Sequence, residues 1–206
     1  KNKFLPLKDN LIDKVWRRKT KEPEKKFYIL PDKSVGNDYK SKIKKIRSYL
    51  KKKKVDYQFI TASENNAWLL NIRGQDTKYT PIPYSYILID KNKKIYFFCN
   101  LKKLSKLIKK KFGEIKFIDI RQADKILSKI SNKKFIIDKN SCSIYFENII
   151  SKNNQILNLQ DPIYIFKAIK SKNEIRNIKI AHKIDGIALT KYLFWLKKNF
   201  NTQKIT

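Results

Sequence analysis

A chain of 206 residues has room for one well-cored domain and the opening of a second, and no apolar run approaches the roughly 20 residues that cross a bilayer. Two cysteines, Cys99 and Cys142, without CxxC spacing, exclude a disulfide scaffold and a cysteine-held zinc or redox site. A net charge of +31 points first to nucleic acid, yet the cations are 43 Lys against 6 Arg, and Arg is the residue whose planar fork grips phosphates and bases. The lysines accompany 31 Ile and 18 Asn against 6 Ala and 4 Gly, the imprint of A- and T-rich codons rather than of a binding surface. A cytoplasmic protein without a membrane partner is the default expectation, because the N-terminus has neither the short apolar core nor the cleavage site of a signal peptide.

In chain order, the stretch from Phe4 to Pro31 mixes three prolines with a run of charge and reads as an irregular entry. Ser34, Asn37 and Asp38 offer N-caps to a helix with Ile43, Ile46, Tyr49 and Leu50 on one face, ending in Lys51 to Lys54. Val55 to Thr61 is a β-branched and aromatic strand, and Ser63 is a cap for a short helix through Leu70. Gly74, Pro81 and Pro83 interrupt regular structure. Two strands, Tyr84 to Asp90 and Ile95 to Cys99, then form a hairpin across Lys91 to Lys94.

From there the pattern alternates. A helix from Leu101 to Phe112 carries Leu104, Leu107 and Ile108 on one face; next come a strand at Ile115 to Ile120, a helix at Gln122 to Ile130, a strand at Lys134 to Asp138, a helix at Ser141 to Ile150 and a strand at Gln155 to Leu159. Strands separated by short helices predict an α/β domain whose sheet is at least partly parallel and covered on both faces. After a turn at Gln160 to Pro162, Ser171 and Glu174 have the spacing of a capping box. The helix they open runs to about Asn199, with Ile178, Ala181, Ile184, Ala188, Tyr192 and Trp195 spaced for burial against a partner outside this chain. A domain boundary is placed near residue 162.

Chemistry is scarce. The single histidine, His182, lies inside the last helix without a nucleophile at a motif spacing and reads as a packed or hydrogen-bonded helix residue. HExxH, P-loop and GxGxxG patterns are absent. Beyond residue 162 the carboxylates are Glu174 and Asp185, about 16 Å apart by helical rise, too far to share a metal pair. Taken alone, the residues supply no active site.

The distinctive segment is Ala67-Trp68-Leu69-Leu70-Asn71-Ile72-Arg73-Gly74-Gln75-Asp76, followed by Tyr79 to Tyr86 with Pro81 and Pro83. On its own it reads as a helix and loop held by an Arg–Asp pair. It also resembles the signature of the long, three-domain Xaa-Pro aminopeptidases, members of the creatinase/prolidase-like pita-bread family. Leu5 to Trp16 is similar to the segment leading into that family's second domain. Lys167 to Lys170 with Glu174, Ala181-His182, Asp185-Gly186 and Trp195-Leu196 is similar to the first helix of its catalytic domain. Gln75 and Pro83 depart from the pattern and put the local loop geometry in question.

The resemblance implies a fragment in three parts: residues 1–31 connecting from a missing first domain, 32–161 a creatinase-like α/β second domain, and 162–206 the start of a truncated catalytic domain. It implies a metallo-aminopeptidase that removes the N-terminal residue from peptides with proline second. Two divalent ions, usually manganese, would be held by ligands beyond Thr206, so that this piece is non-catalytic and has no metal ligand of its own. It further implies a homodimer when full-length, and Arg73 is the candidate for the substrate side, its guanidinium suited to a peptide carboxylate or carbonyl. Two other classes stay open: a non-catalytic aminopeptidase-like interaction module, and a basic nucleic-acid-binding α/β domain whose affinity would fall steeply with salt.

Overall fold

The computed structural model describes residues 7, 9–16 and 25–201. Leu5, Pro6 and the charge run 17–24 therefore lie outside the described residues. The body of the chain is organised by six strands, β2 (Tyr57–Ile60), β4 (Ser85–Asp90), β5 (Ile95–Cys99), β6 (Lys116–Asp119), β7 (Lys134–Ile137) and β8 (Gln155–Asn158), in the order β6-β5-β4-β2-β7-β8. β4 runs antiparallel to both its neighbours and every other pairing is parallel, so five strands point one way and their carboxyl ends share one edge. The mixed sheet, the hairpin and the helices between strands are as the periodicity predicts.

Both faces are covered, because successive side chains of a strand point to opposite faces and these strands are apolar at consecutive positions. Ile60, Ile87, Ile89, Phe97 and Ile136 face a core closed by α2 (Tyr39–Lys52), α3 (Ser63–Leu70), α4 (Lys106–Lys111) and Ile163 at the head of α7 (Ile163–Ala168). Their neighbours Phe59, Leu88, Phe98, Phe135 and Ile137 face the other core, closed by α5 (Ala123–Leu127) and α6 (Ile144–Ser151). A two-stranded ribbon of β1 (Tyr28–Ile29) and β3 (Ile72–Arg73) lies beside the first core, and a short helix, α1 (Leu11–Val15), stands in the entry segment.

Local chemistry corrects some boundaries. Of the three possible caps for α2, Asp38 accepts from the Ser41 N–H at 2.6 Å. Ser63 is not a cap: it is the first residue of α3, and its hydroxyl lies 3.3 Å from the Ser85 carbonyl, spent on β4. The helix expected from Leu101 to Phe112 is two pieces. Asn100 caps a single 3-10 turn, Leu101–Lys103, and Ser105 then caps α4, so the helical face is rotated at the break and Leu107 points to solvent. Two local caps outcompete one continuous periodicity.

Beyond α7 the chain enters α8 (Lys172–Asn199), opened by the reciprocal capping box of Ser171 and Glu174. Gly36 is where the sheet domain meets it: a Cβ there would lie 1.8 Å from the Ser171 hydroxyl oxygen. Asn177 adds a bond to the Lys33 carbonyl at 3.3 Å. Past this joint the apolar residues of α8, Ile178 through Phe194 and Trp195, stand exposed. His182 is exposed with them, on a face that nothing described covers.

Candidate functional site

Three polar constructions gather at or near the carboxyl edge of the sheet, where open α/β sheets hold their ligands because helices and strands end there around a crevice. The first is the signature segment. α3 ends at Asn71, whose left-handed backbone (φ 55°) turns the chain into β3. Its side chain is fixed from both sides, accepting from Lys42 Nζ at 2.5 Å and donating to the Asn37 carbonyl at 3.0 Å. Lys42 is buried, also bonds the Trp68 carbonyl at 2.8 Å and lies 4.2 Å from the Trp68 ring centre. Burial, against the favourable charge of Glu174, lowers its pKa to about 8.

Arg73 does not pair with Asp76. Its Nη1 donates to the Ala67 and Ile72 carbonyls at 2.7 and 3.0 Å, closing the end of α3, and burial lowers its pKa, partly offset by Tyr28 across the ribbon. The cation that meets Asp76 is Lys103, at 2.6 Å, with both side chains buried, and the other Asp76 oxygen accepts the Tyr84 N–H at 2.7 Å. The expected Arg–Asp pair is thus replaced by a Lys–Asp pair between residues far apart in the chain. Gly74 permits it: a Cβ there would come within 2.8 Å of the Pro83 backbone, so the two sides of this loop pack without a side chain between them.

That pair forms part of the wall of the second construction, a cleft of about 770 Å³ at the ends of β5 and β6. Tyr84, Asn100, Lys102 and Arg121 line it further. Arg121 grips Asp119 through two nitrogens, each at 2.9 Å, and these bonds hold the Asp119 carboxyl down to about 2. The Tyr84 hydroxyl is 2.8 Å from that of Tyr86, whose ring meets Phe146 edge-on at 5.2 Å. Reasoning from sequence missed the lysines, which fall inside the single helix expected from Leu101 to Phe112. The available signal was Asn100 directly after a strand, which caps a tight turn rather than a long helix.

The third construction is a buried knot. Asp161 accepts from Gln58 Nε2 at 2.9 Å, Asn65 Nδ2 at 2.7 Å and the Ile163 N–H at 3.0 Å, while its own N–H donates to Asp138 at 2.9 Å. Burial raises the Asp161 pKa, opposed by those three bonds. Lys167 donates to Asn65 Oδ1 at 2.6 Å, so the knot ties β2, α3 and α7 together. Its role is mechanical, orienting the exit toward α8.

None of these is a metal centre. Among the described residues no three His, Cys, Asp or Glu side chains come together, and Glu174 and Asp185 lie on one helix about 16 Å apart by its rise. The residues present do not fit a two-metal site, and no catalytic step is derived through one. Both thiols are buried, which raises Cys99 to about 12 and Cys142 to about 11, out of range of nucleophilic use.

A mixed sheet with five codirectional strands, covered on both faces and followed by a long helix with exposed apolar residues, defines an α/β domain. The chain belongs to the Creatinase/Prolidase N-terminal domain family, whose model matches residues 18–174. It is 33% identical to Xaa-Pro aminopeptidase 1 of Dictyostelium discoideum over 95% of this chain and 32% of that protein. It is 29% identical to a probable Xaa-Pro aminopeptidase P of Laccaria bicolor over 97% of this chain and 32% of that protein. The fold is that of the X-prolyl aminopeptidase of Caenorhabditis elegans, described as a cytosolic enzyme with a di-nuclear active site, with a TM-score of 0.85 at 23% identity over 96% of this chain and 33% of the other. The chain therefore spans about a third of the length of these relatives.

Proposed function

We propose that this chain is the non-catalytic middle of a metal-dependent aminopeptidase that releases the N-terminal residue from peptides with proline second. The observation that carries the reading is the 33% identity to an Xaa-Pro aminopeptidase over 95% of this chain. In this reading residues 1–31 connect from a preceding domain, 32–161 form the second domain, and 162–206 begin the catalytic domain, with Pro162 as the handover. Two divalent ions, manganese by preference, are held by residues of the catalytic domain outside this chain. The whole protein is cytoplasmic and pairs as a homodimer, the sheet domain walling off the site.

Arg73 is the proposed substrate-side residue. Its Nη1 is committed to two carbonyls of the α3 end, which leaves the rest of the fork to take a peptide carbonyl. Arg73→Lys keeps the charge and loses the fork, so it would raise KM more than it lowers kcat.

The test is release of the first residue from a peptide with proline second by the full-length protein, with and without manganese. Metal-dependent release establishes the reading. No release from an intact protein replaces it with the interaction-module reading.

A further inference from the structure

The joint between the sheet domain and α8 is built around one buried cation. Lys42 is 4% exposed and, unlike the buried Lys103, has no carboxylate in ion-pair contact among the described residues. Its ammonium is enclosed by α3 and the residue that ends it: the Trp68 carbonyl and the Asn71 side chain accept its N–H bonds, and the Trp68 ring lies beside it. Asn71 passes the contact on, donating to the Asn37 carbonyl. Next to Asn37 stands Gly36, where a Cβ would come within 3.0 Å of Glu174 Oε2 and closer still to the Ser171 hydroxyl. One chain of contacts therefore joins α2, the end of α3, the 36–37 loop and the first turn of α8.

The forces on the Lys42 charge are divided between the same elements. Burial opposes it most; Glu174 of α8 favours it, Arg73 of β3 opposes it, and Asp38 at the head of α2 favours it least. Lys44, Lys45 and Lys170 line the cleft beside it and add only positive charge. The groups that enclose the ammonium thus belong to the sheet domain, while the carboxylate that most attracts it belongs to α8. Opening the joint would remove Glu174 and leave the ammonium beside Trp68, so Lys42 holds its proton more tightly when α8 is docked.

We propose that this joint is a proton-set latch: a charged Lys42 holds the Glu174 turn of α8 against the Gly36 loop, and loss of its proton loosens α8 and whatever the helix carries. The change falls where Lys42 titrates, at about pH 8. Global unfolding responds with the opposite sign, because it hydrates the ammonium instead of leaving it enclosed.

Amide hydrogen exchange on the full-length protein, corrected for the base-catalysed rate of the unfolded chain, reads the joint at residues 33–37 and 174–178. From pH 7 to pH 9 protection there should fall about threefold, the scale of one partly screened charge pair, while that of β4 does not fall. Glu174→Gln removes the charge and keeps the capping box, since a glutamine oxygen accepts the same N–H, and it should erase the fall. Lys42→Met should show the looser joint at both pH values; if that variant does not fold, Glu174→Gln carries the test. Protection unchanged across the range, a fall kept in Glu174→Gln, an equal fall in β4, or a joint in Lys42→Met as protected as wild type at pH 7 overturns the latch.

Discussion

The sheet domain and α8 are built from the same lysine- and isoleucine-rich composition, and they end in opposite states. In the sheet domain the large apolar residues disappear into two cores, with Phe97, Phe98, Leu88 and Ile136 fully buried. In α8 none of the residues is buried, although Ile184, Leu193 and Trp195 are as apolar as anything in the core. Burial is a property of having a facing surface. The sheet supplies one for every helix laid on it, while α8 is anchored at Ser171 and Glu174 and then runs past the sheet's reach. A helix with apolar residues on more than one side belongs inside something larger.

Substitutions test this contrast, read out as urea unfolding of this chain. The largest effect belongs to the core. Phe97→Ala empties a fully buried site that also holds the Phe117 ring at 5.8 Å, and should cost about 3 to 5 kcal/mol. Next is the buried ion pair: Lys103→Met leaves Asp76 charged and unpartnered by a cation in a dry setting, for about 3 kcal/mol, and adding Asp76→Asn should recover part of it.

At the joint between the regions, Gly36→Ala drives a methyl into the α8 cap and should cost about 1 to 3 kcal/mol. Hydrogen exchange at the start of α8 would rise with it, showing that the cap has moved.

A smaller effect is a pH slope. Lys42 has its folded pKa lowered to about 8 from an ordinary 10.5, so between those values the unfolded chain binds more protons and stability rises with pH. Between pH 8 and 9.5 the urea midpoint should climb, and Lys42→Met should flatten the climb. The smallest is Trp195→Ala on α8, within about 0.5 kcal/mol in this chain because the ring is exposed and stacks on Tyr192 of its own helix, at 6.3 Å, rather than on the sheet domain. A loss above 2 kcal/mol would mean that α8 is buried in solution and would end the contrast.

Much of this was legible in the residues themselves. Continuous apolar runs such as Ile87-Leu88-Ile89, capping side chains at Asp38 and Ser171, and the turn between Asp90 and Ile95 are decided within a few residues, so the strands, the hairpin, the long helix and the α/β class could be read from the amino acids alone. The segment from Trp68 to Tyr86 likewise carries the resemblance to the family within a single stretch of sequence. Partners distant in the chain needed the folded molecule. Asp76 had Arg73 three residues away and took Lys103 instead, because the β3 turn commits the guanidinium to the carbonyls of α3 while the break after Leu101–Lys103 swings an ammonium across the loop. The cleft, the Asp161 knot and the exposure of Leu107 have the same cause. Propensity and spacing act over one or two turns of chain, whereas a buried charge is satisfied by whichever opposite group the packing of distant elements brings within hydrogen-bond reach.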